Sequence, residues 1–145
     1  MRAIYVSGHE PEGGAARRAR RPVTEVMSSP VLSVSVDTRL GDALEAMVRT
    51  GRRHLVVVDT AGRCAGVLAD RAVAAAWAHD HAALTRLTVA QALDPDPAVV
   101  NSHAKVVDAA RLMRARGVDA VAVLNPDGLP MGIVTGSDLI ALLAG

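Results

Sequence analysis

The chain has 145 residues, of which 50% are hydrophobic and 21% are charged, and this length fits one compact domain or two very small ones. Its net charge of +1 at pH 7 is too small to indicate a nucleic-acid partner for the whole chain. A single cysteine excludes an intramolecular disulfide, and no segment approaches the roughly 18 apolar residues of a membrane helix, so we expect a cytoplasmic protein without membrane contact.

Residues 1–22 predict a basic tail or linker, because five arginines against two glutamates give this segment a net charge of +3. Residues 3–6 favour a short strand, whereas the prolines and the Gly13-Gly14 pair favour a linker over residues 9–22. A basic arm suits either a solvated, mobile tail or contact with nucleic acid or a membrane surface. No aromatic residue is interleaved with these arginines, which argues against single-strand binding.

From Val23 onward the sequence repeats itself with an offset of 66 residues, without gaps as far as Leu68. The offset aligns helix ends, helix faces and strands: Val23 with Val89, Asp42 with Asp108, Met47 with Met113, Gly51 with Gly117, Val57 with Val123, Gly66 with Gly132. Such a register predicts a tandem duplication. We divide the chain into a tail (1–22), a first repeat (23–87) and a second repeat (88–145).

Each repeat predicts the same order of elements, β-α-β-β-α, and therefore a mixed α/β (α+β) fold. In the first repeat a helical turn (24–27) precedes a strand (31–36), an amphipathic helix, two strands (55–58, 65–68) and a closing helix (71–84). The second repeat has its counterparts at 88–93, 98–101, 121–124, 131–134 and 137–143. Both amphipathic helices are expected to end at a glycine, Gly51 or Gly117. Because about 60 residues bury little core alone, the two repeats should pack together.

The most informative stretch runs from Gly132 to Leu139, where an apolar strand passes directly into a helix. The N–H groups of Gly136 and Ser137 at this helix start favour an anion such as a phosphate. Asp138 offers two carboxylate oxygens that suit the paired hydroxyls of a ribose. The same spacing also predicts a capping box, in which Thr135 and Asp138 only close the helix end.

The tandem repeat, together with the Gly-Ile-Val-Thr-x-x-Asp-Leu stretch, resembles a cystathionine β-synthase (CBS) domain pair, or Bateman module, over residues 23–144. The resemblance implies a pseudo-two-fold axis between the repeats and two clefts that take adenosine-containing ligands: AMP, ADP, ATP, S-adenosylmethionine or NAD(H). It also implies a regulatory module, such as an energy sensor, that forms a homodimer, signals to a partner protein and needs no cofactor. Neither catalytic residues nor a metal site are expected.

Carried over by position, the resemblance assigns Asp138 to the ribose, Thr135 to the ribose or phosphate, and Ile133 to the base. The N–H groups of Gly136 and Ser137 would face the phosphate. The opposing wall would come from the first repeat, through Pro30, Val31, Leu32, Arg52, Arg53 and His54. We call this expected site the first cleft and its counterpart in the duplicated half the second cleft.

The first repeat departs from the pattern, with Ala69 where Thr135 stands and Ala72 where Asp138 stands. The second cleft should therefore be empty or weak. Asp119 stands where the first repeat has Arg53, which argues against a triphosphate. Two alternatives stay open: a ligand-free scaffold for dimerisation or docking, to which Trp77 could contribute, and a nucleic-acid-binding adaptor that uses the arginine tail.

Overall fold

The protein is described by a computed structural model over residues 12–145. The lead-in to the first repeat contains α1 (Glu12–Ala19) and a 3-10 turn (Val23–Glu25). The first repeat then forms β1 (Ser33–Ser35), α2 (Leu40–Thr50), β2 (His54–Val58), β3 (Cys64–Ala69), α3 (Asp70–His79) and α4 (Ala83–Arg86). The second repeat forms α5 (Val89–Ala92), β4 (Val99–Asn101), α6 (Val106–Arg116), β5 (Ala120–Leu124), β6 (Pro130–Thr135) and α7 (Gly136–Ala144). The strand predicted over residues 3–6 lies outside the described residues.

Each repeat builds one three-stranded sheet, in the orders β1-β2-β3 and β4-β5-β6. In both sheets the first strand pairs parallel to the second, and the second pairs antiparallel to the third. Leu55, Val57, Val121 and Val123 are fully buried, as expected for central strands covered on both faces. The predicted α/β repeat is therefore confirmed.

The amphipathic helices α2 and α6 end as the sequence predicts. Gly51 and Gly117 adopt the left-handed conformation, with φ of 69° and 65°. Their N–H groups bond back to the carbonyls of Met47 and Met113. A residue with a Cβ is strained in this conformation, which is why glycine stops both helices at the same place.

Two predicted boundaries are wrong. Residues 12–19 form α1 rather than a linker, because three alanines and two arginines follow the Gly13-Gly14 pair and favour a helix, which packs against α6. The single closing helix expected over 71–84 is broken into α3 and α4. The break falls at Asp80, whose carboxylate accepts the N–H of Ala82 at 3.0 Å and holds a turn in place of the helix.

The segments that lead into the two repeats cross over to the opposite repeat. The N–H of Val106, at the start of α6, donates to the carbonyl of Arg21 at 2.8 Å. At the equivalent place the N–H of Leu40, at the start of α2, donates to the carbonyl of Leu87 at 2.9 Å. The 66-residue offset of the sequence therefore recurs in the hydrogen bonds, and each repeat is completed by residues that precede the other.

The hydrophobic cores show the same exchange of lead-in segments between the two repeats. Val89 is fully buried in a cluster with Leu40 and Met47 of the first repeat. Val23 is fully buried in a cluster with Ala109 and Met113 of the second repeat. A third, smaller cluster joins the two sheets: Val56, Ala120, Ile133. Among residues 12–145, no helix combines the length and apolar character required to cross a membrane.

Candidate functional site

A cleft of about 260 Å³ opens between the two repeats at the junction of β6 and α7. Its lining comes from both repeats: Ser28, Arg52, Arg53, His54, Asp119, Ile133, Thr135, Gly136, Ser137. This is the location expected for the first cleft. Of the eleven predicted site residues, the structure brings seven together here, from Arg52, Arg53 and His54 on one side to Ile133 and the start of α7 on the other.

The start of α7 is closed by a capping box. Thr135 donates its N–H to Oδ2 of Asp138 at 2.8 Å and its hydroxyl to the same oxygen at 3.1 Å, while the N–H of Asp138 donates to Oγ1 of Thr135 at 3.4 Å. Gly136 donates its N–H to the carbonyl of Asp119 at 2.9 Å. The N–H of Ser137 has no acceptor among the described residues, so it is the helix-start donor left for an anion.

The cationic side of the cleft follows directly from the end of α2, because Arg52 and Arg53 come immediately after the glycine that stops this helix. Nε of Arg53 lies 3.0 Å from Oδ2 of Asp70, and this hydrogen bond holds the pKa of the Asp70 carboxyl below its usual value. Within residues 12–145, Arg52 has no acidic partner and is exposed. It is the cation available to a ligand.

His54 and Asp119 connect the two repeats within the lining of the cleft. Nε2 of His54 lies 3.0 Å from Oδ1 of Asp119, and Nη2 of Arg71 lies 3.9 Å from the same oxygen. Burial raises the pKa of the Asp119 carboxyl, but the hydrogen bond and charge of His54, with the charge of Arg71, outweigh burial and leave the pKa below its usual value. Asp119 is therefore an anion at neutral pH.

The other four predicted residues lie close to the cleft but do not line it. Val31 packs into the cluster between the sheets, and Leu32 packs against the core of the first repeat. Pro30 is exposed beside them. Asp138 lies behind Thr135, with Oδ2 committed to the capping box and with no hydrogen bond to Oδ1 in the described part of the chain. Ligand binding by any of the eleven residues stays a prediction.

Ser28 and Asp119 are lining residues that the site prediction did not include. Ser28 reaches the cleft because its backbone pairs with Ile133 in both directions, at 2.8 and 3.1 Å. Asp119 aligns with Arg53 under the 66-residue offset. Near a pseudo-two-fold axis, a residue of one repeat contacts the equivalent segment of the other repeat. His54 therefore meets Asp119, the counterpart of its neighbour Arg53, and the alignment was a usable signal for Asp119.

The second cleft is much smaller, about 60 Å³. Nη2 of Arg116 lies 3.4 Å from Oδ2 of Asp94, and Nη1 lies 3.4 Å from Oδ2 of Asp96, so the chain's own carboxylates occupy this guanidinium. Ala69 lines the cleft where the first cleft has Thr135. The structure therefore leaves little space and no free arginine at this position.

A larger concavity of about 420 Å³ lies among α1, α6 and α7. Its lining is almost entirely apolar, and Arg18 of α1 is the exception: Ala15, Arg18, Ala19, Val106, Val107, Ala110, Leu139, Leu142, Leu143. Ligand sites usually combine apolar walls with a few convergent polar groups, and the first cleft meets that description better. The described residues contain no cluster of three or more His, Cys, Asp or Glu side chains that could hold a metal ion.

The model of the CBS domain family matches the chain twice, over residues 23–79 and 89–145. A CBS domain-containing protein of Dictyostelium discoideum is 32% identical over 130 residues, which cover 83% of this chain and 90% of that protein. The CBS domain pair of protein MJ0100, solved with 5′-methylthioadenosine and S-adenosyl-L-methionine, superposes with a TM-score of 0.78 at 21% identity and covers 87% of this chain and 98% of that one.

The structure of CBSX2 in complex with AMP gives a TM-score of 0.73 at 25% identity and covers 86% of this chain and 96% of that one. None of the names of these three relatives describes an enzyme. The two matched segments coincide with the two halves of the duplicated fold, and together they span most of the sequence. The chain belongs to the CBS domain family, as a tandem CBS domain pair.

Proposed function

We propose that this chain is a non-catalytic, ligand-sensing regulatory module that binds an adenosine-containing ligand in the first cleft and signals to a partner protein. One observation carries the proposal. The lining of the first cleft combines Arg52, which has no acidic partner among the described residues, with the apolar side chain of Ile133 and the open N–H of Ser137 at the start of α7. The MJ0100 domain pair and CBSX2 were solved with adenosine-containing ligands, which supports the same ligand class here.

The roles within the cleft follow from the chemistry of the lining. Ile133 offers an apolar surface to a flat purine. A ribose hydroxyl that reaches past Thr135 would donate to Oδ1 of Asp138, which accepts no hydrogen bond in the described part of the chain. Arg52 and the N–H of Ser137 would hold a phosphate oxygen. No cofactor is required in this scheme, because the ligand is the signal.

Signalling requires that the ligand bind two arrangements of the protein with different affinity. The lining of the first cleft belongs to both repeats, so a bound ligand would bridge Arg52 on the first repeat and Ser137 on the second. Binding would therefore favour one relative position of the two repeats. A partner polypeptide that contacts both repeats would detect this change.

The test is isothermal titration calorimetry of AMP, ADP, ATP, S-adenosylmethionine, NAD and NADH with the wild-type chain and Asp138→Ala. Because Asp138 also caps α7, the substitution should lower stability by about 1 kcal/mol, which complicates a simple comparison. Asp108→Ala is the matched control, since Asp108 makes the same capping contact to the N–H of Lys105 at 2.9 Å on α6.

We expect at least one adenosine-containing ligand to bind the wild-type chain and Asp108→Ala equally, and to bind Asp138→Ala at least tenfold more weakly. Equal affinity of Asp138→Ala and Asp108→Ala for the ligand would show that Asp138 is not part of the binding site. No binding of any of the six ligands to the wild-type chain would overturn the sensing function and leave the scaffold alternative.

We further propose that the chain forms a homodimer through the exposed faces of α3 and α7. Trp77 and Leu143 occupy equivalent positions in the two repeats and are 48% and 64% exposed, and Ile140 beside Leu143 is 65% exposed. Exposed apolar side chains that recur on equivalent helices are typical of interaction surfaces. Sedimentation velocity should show a dimer that Leu143→Glu dissociates, whereas Leu129→Glu in the β5–β6 turn leaves it intact.

A further inference from the structure

The charged groups around the first cleft are mostly paired with each other. The guanidinium of Arg53 is engaged by Asp70 at 3.0 Å, and that of Arg71 donates to the carbonyl of Gly117 at 3.2 Å and faces Asp119. Arg52 is the remaining cation on the lining without an acidic partner in the described part of the structure. The cleft therefore has positive charge available for one phosphate group rather than for a diphosphate or triphosphate chain.

The backbone N–H donors at the start of α7 also indicate room for one phosphate group. A helix start offers three or four N–H groups to an anion when none is already bonded. At the start of α7 the N–H of Gly136 is bonded to the carbonyl of Asp119 at 2.9 Å, and the N–H of Asp138 is bonded to Thr135. With acceptors counted among residues 12–145, Ser137 is the one residue at this helix start that retains an open N–H. One guanidinium and one amide suffice for a single phosphate group.

Asp119 adds a negative charge to the lining itself. Its side chain is 61% exposed, and Oδ1 is held by Nε2 of His54 at the boundary between the repeats. A phosphate chain that extends beyond the first group would pass this carboxylate without a further free cation to offset the repulsion. The volume of about 260 Å³ is also below the roughly 300–1,000 Å³ of typical ligand pockets, which disfavours a dinucleotide.

We infer that the first cleft selects an adenosine ligand with a single phosphate over its di- and triphosphate forms, and that Asp119 is the residue that sets this preference. The inference rests on the proposed ligand-binding function and specifies which member of the ligand class the site takes. Asp70 contributes to the same preference, because it keeps Arg53 paired and unavailable to a second phosphate.

The experiment measures dissociation constants for AMP, ADP and ATP with the wild-type chain, Asp119→Asn and Asp70→Asn, at one fixed ionic strength and with divalent cations removed by a chelator. Asparagine keeps the shape of Asp119 and can still hydrogen-bond to His54, so the variant changes charge with little change in packing. Asp127→Asn is the matched control, because this substitution removes the same formal charge at a residue that is exposed in the β5–β6 turn, outside the lining of the first cleft.

We expect the wild-type chain to bind AMP more tightly than ADP, and ADP more tightly than ATP. Asp119→Asn and Asp70→Asn should each tighten ATP binding by about fivefold relative to AMP, which is the effect of one unit charge at about 4 Å in a solvated site. Asp127→Asn should leave the ratio unchanged. A wild-type preference for ATP, or an AMP-to-ATP ratio that neither variant moves, would overturn the inference while leaving ligand binding intact.

Absence of binding by AMP, ADP and ATP overturns this inference, and the titrations with S-adenosylmethionine, NAD and NADH then decide whether the proposed function is overturned with it. Circular dichroism of each variant establishes that it is folded before titration. An Asp119→Asn chain that is folded and binds AMP with wild-type affinity, but gains no affinity for ATP, counts directly against the role given to Asp119.

Discussion

Nε2 of His54 and Oδ1 of Asp119 lie 3.0 Å apart, and this contact joins the two repeats at a wall that both clefts share. His54 begins β2 of the first repeat, and Asp119 immediately precedes β5 of the second. A change that moves either residue alters the lining of both clefts. A ligand bound in the first cleft would therefore lie against a contact that also lines the second cleft.

The contact predicts a specific dependence of stability on acid pH. The pKa of the Asp119 carboxyl is lowered from 3.8 in the folded chain, so its contribution to stability is present above that pH and is lost as the pH falls through the folded pKa. Because the side chain is 61% exposed, the contribution should be below about 1 kcal/mol.

Urea unfolding of the wild-type chain and Asp119→Asn at pH 7 and pH 3 measures this effect. We expect the wild-type chain to be more stable at pH 7 and the difference between the two proteins to shrink at pH 3. A difference that is the same at both pH values would mean that the carboxylate charge does not stabilise the folded state.

Gly132 lies where the lead-in segment of the first repeat approaches β6. A Cβ added at this position would stand 2.7 Å from Cγ and 3.1 Å from Cβ of Met27. Gly132→Ala should therefore destabilise the chain by about 1–3 kcal/mol, because the methionine has to move. Met27→Ala in the same chain should recover part of the loss, and a double-mutant cycle from thermal or urea unfolding measures that coupling.

The exchanged lead-in segments give a prediction about where a core substitution acts. Val89 belongs to the second repeat in sequence but is fully buried in the core of the first repeat. Val89→Ala should cost about 2 kcal/mol and should lower hydrogen-exchange protection in α2 more than in α6. Val23→Ala is the mirror-image control, with the larger loss in α6, and equal losses in both helices for either variant would contradict the exchange.

The α/β repeat fold was predictable because the duplication supplies two independent versions of each element. Gly51 and Gly117 mark the same helix end twice, and the valines of β2 and β5 mark the same strand twice. The prediction was wrong for α1, which has no counterpart of equal length in the repeat and contains two glycines in its first turn. It was also wrong at Asp80, where one side-chain contact decides between a continuous helix and a turn.

The site was only partly predictable for a physical reason. A repeat offset says which residues are equivalent, but it does not say which copy a segment packs against. The exchange of the lead-in segments and the place of Ser28 beside Ile133 depend on that choice. At Asp138 the sequence allowed both a capping role and a ribose role, and the structure shows the capping contact, at 2.8 Å.

The exchanged segments also determine how the chain would respond to cleavage. Residues 94–96 are exposed between α5 and β4. A cut there would leave Val89 buried in the first repeat on one fragment, while Val106 on the other fragment would still bond to Arg21 of the first. The two fragments should therefore remain associated as a noncovalent complex, and the protein could be assembled from two separately produced polypeptides.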